Sequence, residues 1–220
     1  MNVKRPLIAS LVVAAAMAVF AFVTAARLPA DAVLPTHWNA RGEPDAFSPA
    51  LWALLFPAIL AAATSLGFAL IPRIEPLQDK LEGSAPLLRA SWIGIMLLFI
   101  VIQGTIGLPA YGIDVPVNVI MIGVGLMLVM LGNALPKSRP GFFVGIRTPW
   151  AILDADNWIA THRLGGKLMM LAGLAIIVAS VLPLSAETVG IVVLASVFSA
   201  ALIPFAYSWW LWQSGKAGRA

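Results

Sequence analysis

A chain of 220 residues that is 60% hydrophobic, 11% charged and has a mean hydropathy of +0.93 lacks the polar surface needed to coat a water-soluble globule. A soluble enzyme, a nucleic-acid-binding domain and a disordered adaptor are excluded on that ground, and the net charge of +4 becomes a question of where along a membrane the cations lie. The absence of cysteine removes disulfides, thiolate nucleophiles, zinc ribbons and iron–sulfur clusters.

A helix that crosses a hydrocarbon core of about 30 Å needs roughly 20 mostly apolar residues. Six stretches qualify in chain order: Pro6 to Ala26, Leu51 to Ile71, Ala90 to Ala110, Pro116 to Leu135, Leu168 to Leu184 and Thr188 to Trp212. Their interiors carry no Asp, Glu, Lys or Arg, as hydrocarbon demands. Runs such as Ile120 to Leu131 show no alternation of polar and apolar residues, so a transmembrane barrel is rejected and an all-α integral membrane protein is predicted. Lys4 and Arg5 before an apolar run that ends in Thr24, Ala25 and Ala26 also suit a secretory signal. The run is longer than the roughly 7–15 residues of a signal core, and its retention as the first span is expected.

The cations divide sharply between the connections. Lys4 and Arg5, then Arg73, Lys80 and Arg89, then Lys137, Arg139, Arg147, Arg163 and Lys167, and finally Lys216 and Arg219 fall on one side. Only Arg27 and Arg41 fall on the other, and twelve against two predicts both termini in the cytoplasm. Residues 1–110 are expected to form one three-span region and residues 111–220 another.

Polar residues inside the spans are sparse. Gln103, Asn118 and Asn133 are the principal ones. A helix-to-helix hydrogen bond is the expected role of Gln103, and Gly94, Gly104, Gly107, Gly123 and Gly125 read as close-packing points. A proton-coupled carrier normally places ionisable groups at the midplane, which this chain does not. Intramembrane hydrolysis is disfavoured as well: there is no HExxH, and the two histidines, His37 and His162, are expected in loops on opposite faces. No catalytic residue, metal or cofactor is predicted.

Two connections carry information. The first, Leu34 to Pro49, holds three prolines and a glycine, and Gly42 to Asp45 reads as a turn. Trp38, Phe47 and Trp52 suit a headgroup-level anchor. The stretch serves either as a structural re-entry loop or as a surface that offers His37, Asn39, Arg41, Glu43 and Asp45 to an amphipathic peptide. The second, Gly132 to Lys167, is basic. Asp154 reads as a helix N-cap with Asp156 in the first turn, and Trp158, Thr161 and His162 share one side. A short interfacial amphipathic helix hinged at Gly165 and Gly166 is therefore expected before the fifth span. Anionic lipid headgroups are the simple partners of its cations. The glycines lack the spacing of a phosphate loop.

These residues carry a resemblance. Pro35-Thr36-His37-Trp38-Asn39 with Gly42-Glu43-Pro44-Asp45, followed by Ile71-Pro72-Arg73-Ile74-Glu75-Pro76-Leu77, looks like the DUF1648 type of N-terminal region. Gly132-Asn133 with Leu135-Pro136-Lys137, then Phe143, Gly145-Ile146-Arg147-Thr148-Pro149-Trp150, Trp158 and Thr161-His162-Arg163, resembles the SdpI family of bacterial membrane proteins. The likeness runs roughly from residue 28 to 180, and departs at Gly141, where the family pattern has an asparagine before the aromatic pair.

The resemblance implies a multi-pass protein of the bacterial plasma membrane, whose kin protect against a secreted killing peptide and signal its presence inward. It places ligand contacts on His37, Trp38, Asn39, Glu43 and Asp45 outside. Inside, it places a signalling or structural loop on Asn133, Lys137, Arg147, Pro149, Trp150, Trp158, His162 and Arg163. The expected function is non-enzymatic immunity to, or sensing of, a membrane-active peptide toxin; the alternative is a small-solute or lipid permease. Expected partners are the bilayer, a peptide toxin outside and a cytoplasmic regulator inside, with no direct nucleic acid. The oligomeric state is left open.

Overall fold

The computed structural model describes residues 2–39 and 41–215 and contains six helices long and apolar enough to cross a membrane. Lys216 and Arg219 of the tail, two of the twelve like-sided cations, lie outside the described residues. Helix α1 is Lys4–Ala25. A hairpin of β1 (Val33–Trp38) and β2 (Pro44–Pro49) follows, and β2 runs directly into α2 (Ala50–Ile74). A four-residue helix α3 (Gln78–Leu81) and a 3-10 turn at Glu82–Ser84 lead to α4 (Ala85–Gly107). Then come α5 (Asn118–Ala134), a five-residue α6 (Pro149–Leu153), α7 (Ala155–Val181) and α8 (Ala186–Ser214).

Helices in a bilayer gain little from burying apolar surface against each other, because lipid tails are equally apolar; close approach through small residues decides their packing. Helix α1 buries Ser10, Ala14, Met17, Ala21 and Thr24, one stripe at three- and four-residue steps, and leaves Ile8, Val12, Val19 and Phe22 exposed. Ala58, Ala61 and Ala69 of α2 and Trp92 and Met96 of α4 meet that stripe in the first core cluster. Helix α4 leans on α5, α5 on α7, and α7 on α8.

Glycine governs the α5–α7 seam. A β-carbon on Gly132 would stand 2.6 Å from the Gly166 carbonyl oxygen, and one on Gly166 equally close to that of Gly132. One on Gly125 would stand 2.7 Å from the Gly173 oxygen. Gly94 and Gly107 receive Met127 and the Phe20–Leu54 pair in the same way, as the close-packing reading expects.

Three features differ from expectation. The first connection is not an irregular loop: its strands pair antiparallel from Val33 opposite Pro49 to Trp38 opposite Pro44, with irregular register around His37. Pro35, Pro44 and Pro49 are tolerated because a two-stranded ribbon has only edge strands. The turn lies earlier than Gly42 to Asp45. Asn39 N–H donates to Glu43 O and Gly42 N–H to Asn39 O, while Pro44 and Asp45 already belong to β2.

The third difference concerns the interfacial helix expected before the fifth span. Helix α7 is one continuous helix from Ala155, and Gly165 and Gly166 are not a hinge but buried packing points. Its first turns are protein-covered rather than interfacial, with Trp158, Thr161 and His162 fully buried. The helix that does precede it is α6, started by Pro149 after the Thr148 cap.

The seam supplies a test. Gly132→Ala and Gly166→Ala each push a methyl group into backbone that cannot rotate away, and each is expected to cost about 1–3 kcal/mol, read as a lower melting temperature of the purified protein in detergent. Gly67→Ala, with nothing within 4 Å of the added carbon, is expected to melt like the parent.

Candidate functional site

Two sites emerge at opposite ends of the bundle. One is the hairpin; the other lies on the face where α1 and α4 begin, here called the basic face.

In the hairpin, Asn39 serves as the turn's organiser. Its Oδ1 accepts the N–H groups of Arg41 (2.8 Å) and Glu43 (3.1 Å), and its Nδ2 donates to Glu43 Oε2 at 3.0 Å. Gly42 takes φ +75°, a conformation that costs glycine nothing. Across the strands His37 Nδ1 and Asp45 Oδ1 approach to 2.6 Å, and both side chains remain exposed. Trp38 points the other way, packed on the cluster of Ala21, Ala53, Leu54 and Ile106 that caps the first three spans. The five residues expected to bind ligand therefore divide by geometry. His37, Glu43 and Asp45 face solvent, Asn39 is engaged by its own turn, and Trp38 is the foot on which the hairpin stands.

Beneath the hairpin, between α2 and α4, runs an apolar groove of about 440 Å³ rimmed by Thr36 and Ser48 and walled by Trp52, Phe56, Leu60, Phe99 and Ile102. Gln103 does not open it further. Its amide donates to Met17 O at 2.9 Å and Leu54 O at 2.8 Å, tying α4 to α1 and α2 as a helix-to-helix bond.

On the basic face, the segment between α5 and α6 is held in place by four buried anchors. Glu75, at the end of α2 and 3% exposed, accepts the N–H groups of Leu77, Phe142 and Phe143, all at 3.1 Å. Ser84 Oγ donates to Arg139 O and accepts Arg139 N–H. Trp158 directs its indole N–H toward Ser138, 3.2 Å from the hydroxyl and 3.3 Å from the carbonyl. His162 Nε2 accepts Ile146 N–H at 2.8 Å, so the ring proton sits on Nδ1 and is donated to Trp158 O, one turn earlier. The ring is the neutral tautomer with both nitrogens occupied, which makes it a structural acceptor rather than a base.

Close packing completes the arrangement. Trp158 and His162 stack with centroids 4.0 Å apart, and a β-carbon on Gly145 would strike both, which together with its φ of +118° requires glycine there. Arg147 is exposed and donates from Nη1 to Phe142 O at 3.0 Å. Asp154 caps α7 through the N–H groups of Asp156 and Asn157, as the sequence pattern predicts.

A second polar group was not foreseen. Thr148 and Ser208 hydroxyls lie 2.7 Å apart, Ser208 donates to Asn157 Oδ1 at 2.7 Å, Thr161 donates to the same oxygen, and Asn157 Nδ2 returns to Ser208 O. Each buried polar atom of this ring thus has a partner, which in hydrocarbon is the condition for its being there. Trp150 stacks on Trp212 of α8 beside it.

The structure thus gathers Arg147, Trp150, Trp158 and His162, with Pro149 at the start of α6. Asn133, Lys137 and Arg163 are exposed and form no hydrogen bond or ion pair with another described residue. His162 corrects the expectation of a loop or interfacial residue: it is wholly buried in α7. Glu75 was quoted in the motif but given no role; its signal was an acidic residue between two prolines at the end of an apolar span. Asn157 and Ser208 carried no signal at all, being common residues 51 positions apart.

Residues 137–208 match the model of the SdpI/YfhL protein family, and residues 12–61 match that of the domain of unknown function DUF1648. Immunity protein SdpI of Bacillus subtilis (strain 168) is 26% identical over 148 residues, 67% of this chain and 69% of that protein. No solved structure matches. The chain is a multi-pass bacterial membrane protein that resembles the SdpI/YfhL family in its second half and DUF1648 in its first.

The Glu75 anchor predicts a local effect. Hydrogen bonds to a buried charge contribute about 1.5–3 kcal/mol each. In Glu75→Gln the amides of Leu77, Phe142 and Phe143 are expected to exchange with deuterium at least about tenfold faster, while Glu187→Gln at the start of α8 leaves them unchanged.

Proposed function

We propose that this protein confers immunity to a secreted, membrane-active peptide, met by the hairpin outside and reported by the loop at the basic face inside. Likeness to an immunity protein over two thirds of the chain carries the reading. The placement of the two family regions supports it: one spans the hairpin and the start of α2, the other begins at the anchored loop. Residues 1–110 form the receiving half and residues 111–220 the reporting half.

The chemistry suits such a ligand. An amphipathic peptide has an apolar side for the groove beneath the hairpin and polar groups for His37, Asp45 and Glu43 at its rim. Receipt requires no bond to be made or broken, so the action is binding, and the loop held by Glu75 and His162 is what a cytoplasmic regulator meets. A permease reading loses its main residue, because Gln103 is engaged by two backbone carbonyls.

Orientation is the first test. Reporter domains inserted after Arg41 and after Asp154 are expected on opposite sides, the former outside; the same side for both ends the proposal.

Recognition is the second. In an otherwise sensitive strain, survival across a toxin series is normalised to the amount of protein in the membrane. His37→Ala and Asp45→Ala are expected to accumulate normally yet lower the tolerated dose, about tenfold for a lost anchor of 1–2 kcal/mol. Trp38→Ala is expected to lower abundance and survival together, because it removes the hairpin's foot. Full protection by both exposed-residue variants would show that the hairpin is not the recognition surface.

A further inference from the structure

A further groove lies outside both sites. It holds about 610 Å³ between α1 and α4, lined on one side by Pro6, Ala9 and Val13 and on the other by Trp92, Met96 and Ile100. That volume is in the range of built small-molecule sites. Both helices start on the basic face, so the groove has a polar mouth and an apolar interior. Arg5, Arg89 and Asn2 form the mouth.

Length and charge together identify the occupant. From Arg89 to Ile100 an α-helix rises about 16 Å, close to half of a hydrocarbon core of about 30 Å, which is the depth of one leaflet. At the mouth the two guanidiniums form no ion pair or hydrogen bond with another described residue. A smaller adjoining space shares Asn2 and Arg89 and includes Glu82, which has a partner of its own. The mouth therefore offers two guanidiniums at headgroup level, neither paired with a described carboxylate, directly above an apolar slot one acyl chain deep.

We infer that the α1–α4 groove is a binding site for an anionic phospholipid, its phosphate held by Arg5 and Arg89 and one acyl chain laid along Trp92, Met96 and Ile100. The guanidinium is suited to this contact because its planar fork matches phosphate oxygens. The site is separate from the hairpin and from the Glu75 loop, and is independent of the immunity reading.

The test uses the full-length protein, stripped of lipid in detergent and offered an equimolar mixture of phosphatidylglycerol and phosphatidylcholine with identical acyl chains. Bound lipid is counted by native mass spectrometry. Two near-surface cation contacts predict a preference for phosphatidylglycerol of about thirtyfold. Arg5→Gln with Arg89→Gln is expected to bring the ratio near one, whereas Arg73→Gln on the same face keeps it. Ala9→Phe, which narrows the slot, is expected to reduce binding of both lipids. Any of four results would overturn the proposal: an even ratio in the parent, an equal loss in Arg73→Gln, displacement of lipid by soluble glycerol phosphate, or disulfide-linked dimers formed through Ile93→Cys in this cysteine-free chain, which would mean that a second copy fills the groove.

Discussion

The arrangement at the basic face depends on a single buried carboxylate. Glu75 ends α2, and instead of reaching water it receives backbone N–H groups from its own following turn and from Phe142 and Phe143, which lie beyond two further spans in sequence. A carboxylate can be buried at this depth only when donors surround it, and these three backbone amides are among its donors. The result joins the first half of the chain to the second at a point where no helix crosses. Gly141 adjoins the same carboxylate: a β-carbon there would lie 3.5 Å from Glu75 Oε2, in ordinary van der Waals contact.

The other anchors act on the same segment from the opposite side. His162 and Trp158 rise from α7, present an acceptor and a donor one turn apart, and hold Ile146 and Ser138 respectively. The loop is thereby fixed between α2 and α7 rather than lying on lipid. Its exposed cations, Lys137 and Arg147 among them, then project from a defined scaffold.

The six spans were legible in the sequence because the cost of burying charge in hydrocarbon writes them as uninterrupted apolar runs. Their glycines were legible too, since few other roles exist for glycine inside such runs. The hairpin was not read as strands because three prolines suppress the strand signal and little of the ribbon is buried. Helix α7 was split at Gly165 and Gly166 because paired glycines in an aqueous helix suggest a break, whereas here they admit Leu135, Ile146 and the α5 backbone. His162 was read as a loop or interfacial residue for the same reason. The Asn157–Ser208 ring could not be found from spacing, because it is created by tertiary contact between α7 and α8. Asn39 and Trp38 were identified as important, but only the structure distinguishes holding the hairpin from facing outward.

The junction between β2 and α2 has a mechanical consequence. Pro49 ends the strand and caps the helix in the same position, and Ala50 N–H donates to Ala32 O across the hairpin's base, so no flexible residue intervenes. At 25 residues, α2 is about 37 Å long, with Pro57 and Pro72 inside it, the ribbon joined to one end and Glu75 at the other. A tilt of about 5° about the hairpin end would sweep the Glu75 end through roughly 3 Å, as much as the whole length of the bonds from Glu75 to the Phe142 and Phe143 amides. A displacement of a few degrees at the hairpin would thus be comparable, at the far end of α2, with the length of a hydrogen bond.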